Sequence, residues 1–237
     1  MNDRSPDKLA RITAVISLIV AIAAIAIPYV QQKGALKQQQ EQFDELQRED
    51  LSMMLNPNMR GVIHVTGTNL GSLGSVVQVP WGLTISNTGS RQLSIANYDL
   101  TRGDSPGAMF YSDIDGGVQS LDSQPVGYPI TLEPGEMRKF LLFVGITVPD
   151  KVLEIIEGIT EGNKVDRDVA TTALAREGLD LYGNRVDYRE LEGGAYTLSV
   201  DSQNQNGQRF WFEVHTGRDN RFVVSANEYE RPGARTR

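Results

Sequence analysis

Gly103-Asp104-Ser105-Pro106-Gly107 has the G-x-S-x-G spacing of a serine nucleophile elbow, and later acidic residues and His215 follow in the chain order of a triad. Two physical requirements go unmet. The oxyanion hole of an elbow uses the backbone N–H of the residue after the serine, and here that residue is Pro106, which has none. The surrounding chain also lacks the strand–helix alternation that builds the sheet beneath such an elbow. Arg102-Gly103-Asp104 overlaps the same stretch and spells a tripeptide used in adhesion-receptor binding, a three-residue match of the kind chance supplies in a Gly-rich loop. Asp113-Ile114-Asp115-Gly116, with Asp122 nearby, offers oxygen donors for a calcium loop but no later bidentate Glu at the required spacing, so it reads as an acidic turn. His64 and His215 are too far apart for a metal-pair spacing and read as outward-facing strand residues. The chain has no cysteine, which removes thiolate chemistry, zinc ribbons and a disulfide framework. No catalytic residue, cofactor or metal is expected.

One constellation points to contact rather than catalysis. Phe210, Phe212 and Val214 alternate with Trp211, Glu213 and His215, so the second set shares the face opposite the apolar one. An aromatic beside two polar groups makes a contact patch if that face meets solvent. The alternative is that Trp211 packs beneath a helix or beneath the 102–128 loop.

Behind these residues lies the stretch on which the rest of the chain depends. Ile12 to Val30 holds no charged residue, and at about 1.5 Å per residue it covers roughly the hydrocarbon thickness of a bilayer. Arg4, Lys8 and Arg11 in the flank 1–11 resemble the basic start of a secretory signal, and Ala24-Ile25-Ala26 resembles a cleavage site. The apolar run continues through Ile27 and Val30, so 12–30 is read as an uncleaved, single-pass signal-anchor in contact with membrane lipid. Arg4, Lys8, Arg11 and the terminal amine before it are nearly balanced by Lys33, Lys37 and Arg48 after it, a count that tilts only slightly toward a cytoplasmic N-terminus and an extracytoplasmic C-terminal domain. Thr13, Ser17, Ala21 and Ala24 form a stripe of small residues on which membrane helices could pack. Residues 31–57 are rich in Gln, Glu and Lys and read as a helical stalk. Leu36, Phe43, Leu46 and Met53 fit heptad positions that Gln39 and Asp50 interrupt, so the stalk is either a coiled coil joining copies or a solvated spacer. Asn56-Pro57-Asn58 marks its end and the start of a folded domain over 58–228, and a basic tail over 229–237 is read as disordered.

Within that domain the apolar period becomes two. Val62–Thr66 reads as a strand, followed by a Gly-rich loop that has neither P-loop nor dinucleotide spacing. Val77, Val79, Trp81, Leu83 and Ile85 define one face of a strand over 76–86, with Pro80 implying an edge position or a bulge. Asn87-Thr88-Gly89-Ser90 reads as a tight turn. A switch of face between Ile95 and Tyr98 implies a bulge near Ala96–Asn97. Glu133-Pro134-Gly135-Glu136 suits a type II turn, and Arg138–Ile146 is apolar on both faces, as a central strand is. Helices are expected over 150–157 and 164–177. Further strands are expected over 179–182, 186–188 and 221–225, and Tyr196–Val200 is expected to form a hairpin with Phe210–Val214 through Asn206-Gly207.

The runs WGLTISNTGSRQLSI and ITLEPGEMRKFLLFV resemble bacterial immunoglobulin-like β-sandwich domains, including the cell-adhesion-related type, over roughly residues 60–147. That resemblance implies an antiparallel sandwich and no catalytic residue, since many functions ride on such a fold. The fold class expected is therefore mainly β: a transmembrane helix and stalk, then an antiparallel sandwich with one or two short helices. The net charge of −7 argues against a nucleic-acid partner. The function expected is a membrane-anchored interaction domain with a protein partner and a route to homo-oligomers through anchor and stalk. The other reading is a ligand- or glycan-binding envelope module.

Overall fold

The computed structural model describes residues 31–57, 59–109, 114–190, 196–200 and 209–227. The proposed span 12–30, with Thr13, Ser17, Ala21 and Ala24, and the tail 229–237 lie outside them. Among the described residues no helix is long and apolar enough to cross a membrane. The chain divides into two units, Met1–Arg48 and Glu49–Arg237. In the first, a helix α1 covers 31–46 and is exposed on all sides.

The second unit is a mainly antiparallel, β-sandwich-like fold. Its larger sheet is built on β3 (Ser75–Asn87), which pairs along its whole length with β7 (Met137–Val148), and β5 (Val118–Gln119) lies on the far edge of β7. On its other side β3 has two partners in succession, β2 (Val62–Asn69) and β1 (Leu51–Asn56), and β2 carries β8 (Lys164–Asp166) outward. The second sheet has the order β12-β11-β4-β6, from Arg221–Asn227, Arg209–Thr216, Leu93–Arg102 and Ile130–Leu132. A hairpin of β9 (Val186–Glu190) with β10 (Tyr196–Val200) and two helices, α2 (Asp150–Gly158) and α3 (Arg167–Arg176), complete the unit.

The alternation on β3 does what its period requires. Val77, Val79, Trp81, Leu83 and Ile85 are all buried at the interface of the two sheets, and Trp81 meets Phe210 of β11 edge-on, with ring centroids 5.5 Å apart. β7 is apolar on both faces because it is covered on both. Leu142, Val144 and Ile146 join the core, while Phe143 lies under the 114–117 segment. Two glycines permit that cover: a Cβ on Gly116 would stand 2.6 Å from Phe143 Cβ, and one on Gly145 would stand 2.6 Å from Ile114 O. The expected bulge in β4 is present, because His215 pairs with Asn97 and Thr216 with Ile95, leaving Ala96 unmatched.

Several expectations are corrected. The stalk does not run to residue 57: Leu51–Asn56 is a strand whose Leu51 and Leu55 are buried, and Met53 packs against the core. Six ladder positions on β3 and an apolar pocket outweigh any local helical tendency. Pro80 is neither on an edge nor in a bulge of β3. It sits in mid-strand where β2 has stopped pairing, at Gln78, and β1 has not begun, at Gly82, so its missing N–H falls where the ladder is already open. Asn87-Thr88-Gly89-Ser90 is not a hairpin turn, since β3 and β4 belong to different sheets. The buried Asn87 holds this corner by donating to Arg91 O and Leu132 O and accepting from Gly89 N. Residues 164–166 are strand rather than helix, and Asp166 instead caps α3 by accepting from the N–H groups of Asp168 and Val169. The hairpin expected between β10 and β11 does not form. Both edges of β11 are taken, by β4 and by β12, so β10 pairs with β9.

Candidate functional site

The second sheet sets the contact residues. Along β11 the inner positions Phe210, Phe212 and Val214 are buried and the outer positions Trp211, Glu213 and His215 are half-buried, as the period-two reading anticipates. Register places Trp211 opposite Thr101 and Ser225, Glu213 opposite Asp99 and Val223, and His215 opposite Asn97 and Arg221. The outer face of β4, β11 and β12 thus forms one surface.

Its charges are interleaved. His215 Nε2 lies 2.8 Å from Asp99 Oδ2 and 3.8 Å from Glu213 Oε1, and Arg221 Nη1 lies 3.6 Å from the same Glu213 oxygen. Two carboxylates directly opposite one another on a sheet repel. Here the Arg221 guanidinium stands beside Glu213 to offset that repulsion, and the His215 ring nitrogen lies within hydrogen-bond distance of Asp99. Val223, 43% exposed, supplies an apolar element on the same face. Trp211 is tied down, because its indole N–H donates to Gly103 O over 2.8 Å. The 102–128 loop thus reaches Trp211 through the Gly103 carbonyl, and the side chain stays half-buried.

That loop folds back onto the strands that launch it. Gly103 N–H donates to Arg209 O, Gly107 N–H donates to Thr101 Oγ1, and Arg102 N–H donates to Met109 O. Arg102 Nη1 donates to Thr147 Oγ1, so the guanidinium is held within the fold while Asp104 is exposed, and the Arg-Gly-Asp tripeptide is not presented as a unit. Ser105 sits at the Arg209 end of β11. His215 is six residues along the strand, roughly 20 Å away at about 3.3 Å per residue. No elbow is assembled.

The acidic turn is also occupied within the fold. Asp115 Oδ2 accepts from Tyr98 OH over 2.8 Å, and Tyr98 lies between Phe212 and Tyr128. Burial pushes the phenols of Tyr98 and Tyr128 well above their ordinary value, and the nearby Asp115 carboxylate adds to both shifts. Asp113 lies outside the described residues. Among the described residues no group of three His, Cys, Asp or Glu side chains is arranged to hold a metal ion. His64 stacks on Phe143 at 4.8 Å, and burial, with Lys164 beside it, holds the imidazole below its ordinary pKa.

Three polar residues organise the domain, and two of them, Arg167 and Glu49, were passed over in the sequence reading. Arg167 is buried at the break between β1 and β2, where its Nη1 donates to Pro57 O, Met59 O and Pro80 O, carbonyls the interrupted ladder leaves over. A signal for it existed: Arg167, Ala170 and Leu174 fall at i, i+3 and i+7, placing a cation on the apolar stripe of α3. Glu49 opens the domain by accepting from Thr216 Oγ1 and Asn220 Nδ2 at the β11–β12 turn, with Arg218 Nε 3.7 Å away. Asn87 is the third, at the corner between sheets. Comparison of the chain with protein-family models, with curated proteins and with solved structures gives no match.

Proposed function

We propose that this chain is a single-pass, membrane-anchored protein that presents an immunoglobulin-like β-sandwich domain for contact with another protein. The observation that carries the reading is an order of segments: an uncharged run over 12–30, an exposed helix over 31–46, and a core that closes on itself from Glu49. The mechanism is placement. An anchor fixes the chain in the bilayer, the helix spaces the domain, and the Glu49 contacts join the entering chain to the β11–β12 turn.

The contact surface is the outer face around Trp211, Glu213 and His215, extended by Asp99, Arg221 and Val223. Its interleaved charges and single exposed apolar residue suit the polar rim and small apolar centre of a transient protein interface. No catalytic step is assigned to it. A glycan-binding reading needs exposed aromatics, and of the two tryptophans Trp81 is fully buried while Trp211 is half-buried with its indole N–H on Gly103 O. The immunoglobulin-like assignment draws on the Asn-x-Gly corner at Asn87 and the L-E-P-G-E turn that launches β7, both at crossings between the two sheets.

Alkaline extraction of membranes, followed by protease treatment of sealed vesicles, tests this. The protein is expected to stay in the membrane pellet with the domain exposed on the extracytoplasmic side. Release into the supernatant by alkali contradicts the anchor, and a domain protected on the cytoplasmic side reverses the orientation.

A further inference from the structure

We infer that α1 pairs in parallel with the α1 of a second copy of this chain, so that the displayed unit is a dimer. Leu36, Phe43 and Leu46 are 59%, 58% and 65% exposed on a helix that is otherwise Gln, Lys, Glu and Asp apart from Gly34 and Ala35. In a seven-residue repeat with Leu36 and Phe43 at a, the d positions are Gln32, Gln39 and Leu46, so all three large apolar side chains fall on one seam. From Leu36 onward the borders of the seam carry no charge. The flanking e and g positions are Ala35, Gln40, Gln42 and Gln47, with Lys33 a charged e position at the start of the helix, whereas Lys37, Glu41, Asp44, Glu45 and Arg48 fall at b, c and f.

Those outward charges are matched within their own helical segment. Lys37 Nζ lies 3.6 Å from Glu41 Oε1, Arg48 Nη1 lies 3.4 Å from Glu45 Oε1, and Gln40 Nε2 donates to Asp44 Oδ1. Between Leu36 and Leu46 a second copy can therefore approach the seam without like-charge repulsion, Lys33 adding a charge only beside its start, and a partner of opposite charge would find little there to select it. Gln32 and Gln39 put polar side chains at d positions, which lowers the stability of the seam.

The helix is short. Its 16 residues span about 24 Å, little more than two heptads, against the three or four that mark an independent coiled coil. Pairing thus rests on the anchored reading above: a shared membrane makes the second copy's arrival effectively intramolecular and sets the helices parallel.

The chain's lack of cysteine makes the test direct. Leu36→Cys and Phe43→Cys, expressed as full chains in membranes, are expected to give a disulfide-linked dimer under mild oxidation. Lys37→Cys and Glu41→Cys, facing outward, are expected to fall to background. Equal crosslinking at all four positions, or none at any, overturns the dimer. If crosslinking fails while Phe43→Cys is shielded from a membrane-impermeant thiol reagent, the seam lies on lipid. If Phe43→Cys reacts freely, α1 is a bare spacer. Should alkali release the protein, the anchor reading fails separately, and the same four variants are oxidised in the soluble fraction. Crosslinking at Leu36 and Phe43 alone still supports pairing there, and its absence overturns it.

Discussion

Two neighbouring segments, α1 over 31–46 and β1 over Leu51–Asn56, fall within one expected stalk and behave differently. The first is polar with Leu36, Phe43 and Leu46 at heptad spacing, whereas the second, LSMMLN, is apolar at four of its six positions, of which Met53 fits the same heptad. Among the described residues of its own unit the helix meets nothing on its apolar stripe, and Leu36, Phe43 and Leu46 are exposed. The strand finds the edge of β3 and loses Leu51 and Leu55 to the core. Secondary structure here follows from the available partner: a helix satisfies its backbone internally, whereas a strand needs another strand's edge. The domain therefore begins at Glu49, nine residues before Asn58, and its first strand is the one joined to the stalk.

The largest expected effect comes from cutting between those readings. A chain starting at residue 58 loses β1, the Glu49 contacts and two buried leucines worth about 1.5–3 kcal/mol each. With the ladder included, that is about 5 kcal/mol or more, comparable with a whole domain's stability of about 5–15 kcal/mol. It should show no cooperative thermal transition by circular dichroism, while a chain starting at residue 49 melts in one step. Equal melting of the two would make β1 an ornament.

Arg167→Ala addresses the other end of the same strand. Removing the guanidinium leaves the carbonyls of Pro57, Met59 and Pro80 without the donor that bridges the break. A loss of about 3–5 kcal/mol in urea denaturation is expected, and Arg167→Lys should restore only part of it because one ammonium lacks the planar fork. A loss below about 1 kcal/mol would show that the break holds without Arg167.

The smallest effect is the pH dependence contributed by His64. The fold holds its pKa below 6.5, so the unfolded chain takes up the proton first. Its contribution is therefore complete above pH 6.5 and is lost as pH falls through the depressed folded value. His64→Phe should flatten the urea midpoint between about pH 7 and pH 5 relative to the parent. An unchanged slope would assign that window to other groups.

What the sequence made legible follows from how local each signal is. The stripe from Val77 to Ile85 and the doubly apolar Phe140–Ile146 need only their own period to declare a half-buried and a covered strand. The slip between Ile95 and Tyr98 shows a bulge for the same reason, and Phe210 to His215 shows which residues share the contact face. Partner choice is not local. Nothing in Tyr196–Val200 says that both edges of β11 are taken, and nothing in Asn87-Thr-Gly says that the chain crosses to a second sheet there. Pro80 carried a true constraint, the absent donor, but the ladder meets it with a gap between two partners. The contact residues were thus readable as a set, and Arg221 follows on the next strand, while Asp99 on β4 and the Gly103 carbonyl just beyond it come from 116 and 108 residues away in the chain.

Limited proteolysis of native membranes tests the central claim, an anchored helix followed by a self-contained domain that opens at Glu49. The account predicts first cleavage within 31–48, with release of a soluble fragment that retains Leu51–Asn56 and melts cooperatively, while the 12–30 peptide stays in the pellet. Full-length protein in the supernatant before protease is added contradicts the anchor. First cleavage within 49–61, leaving a fragment that still folds, contradicts the boundary.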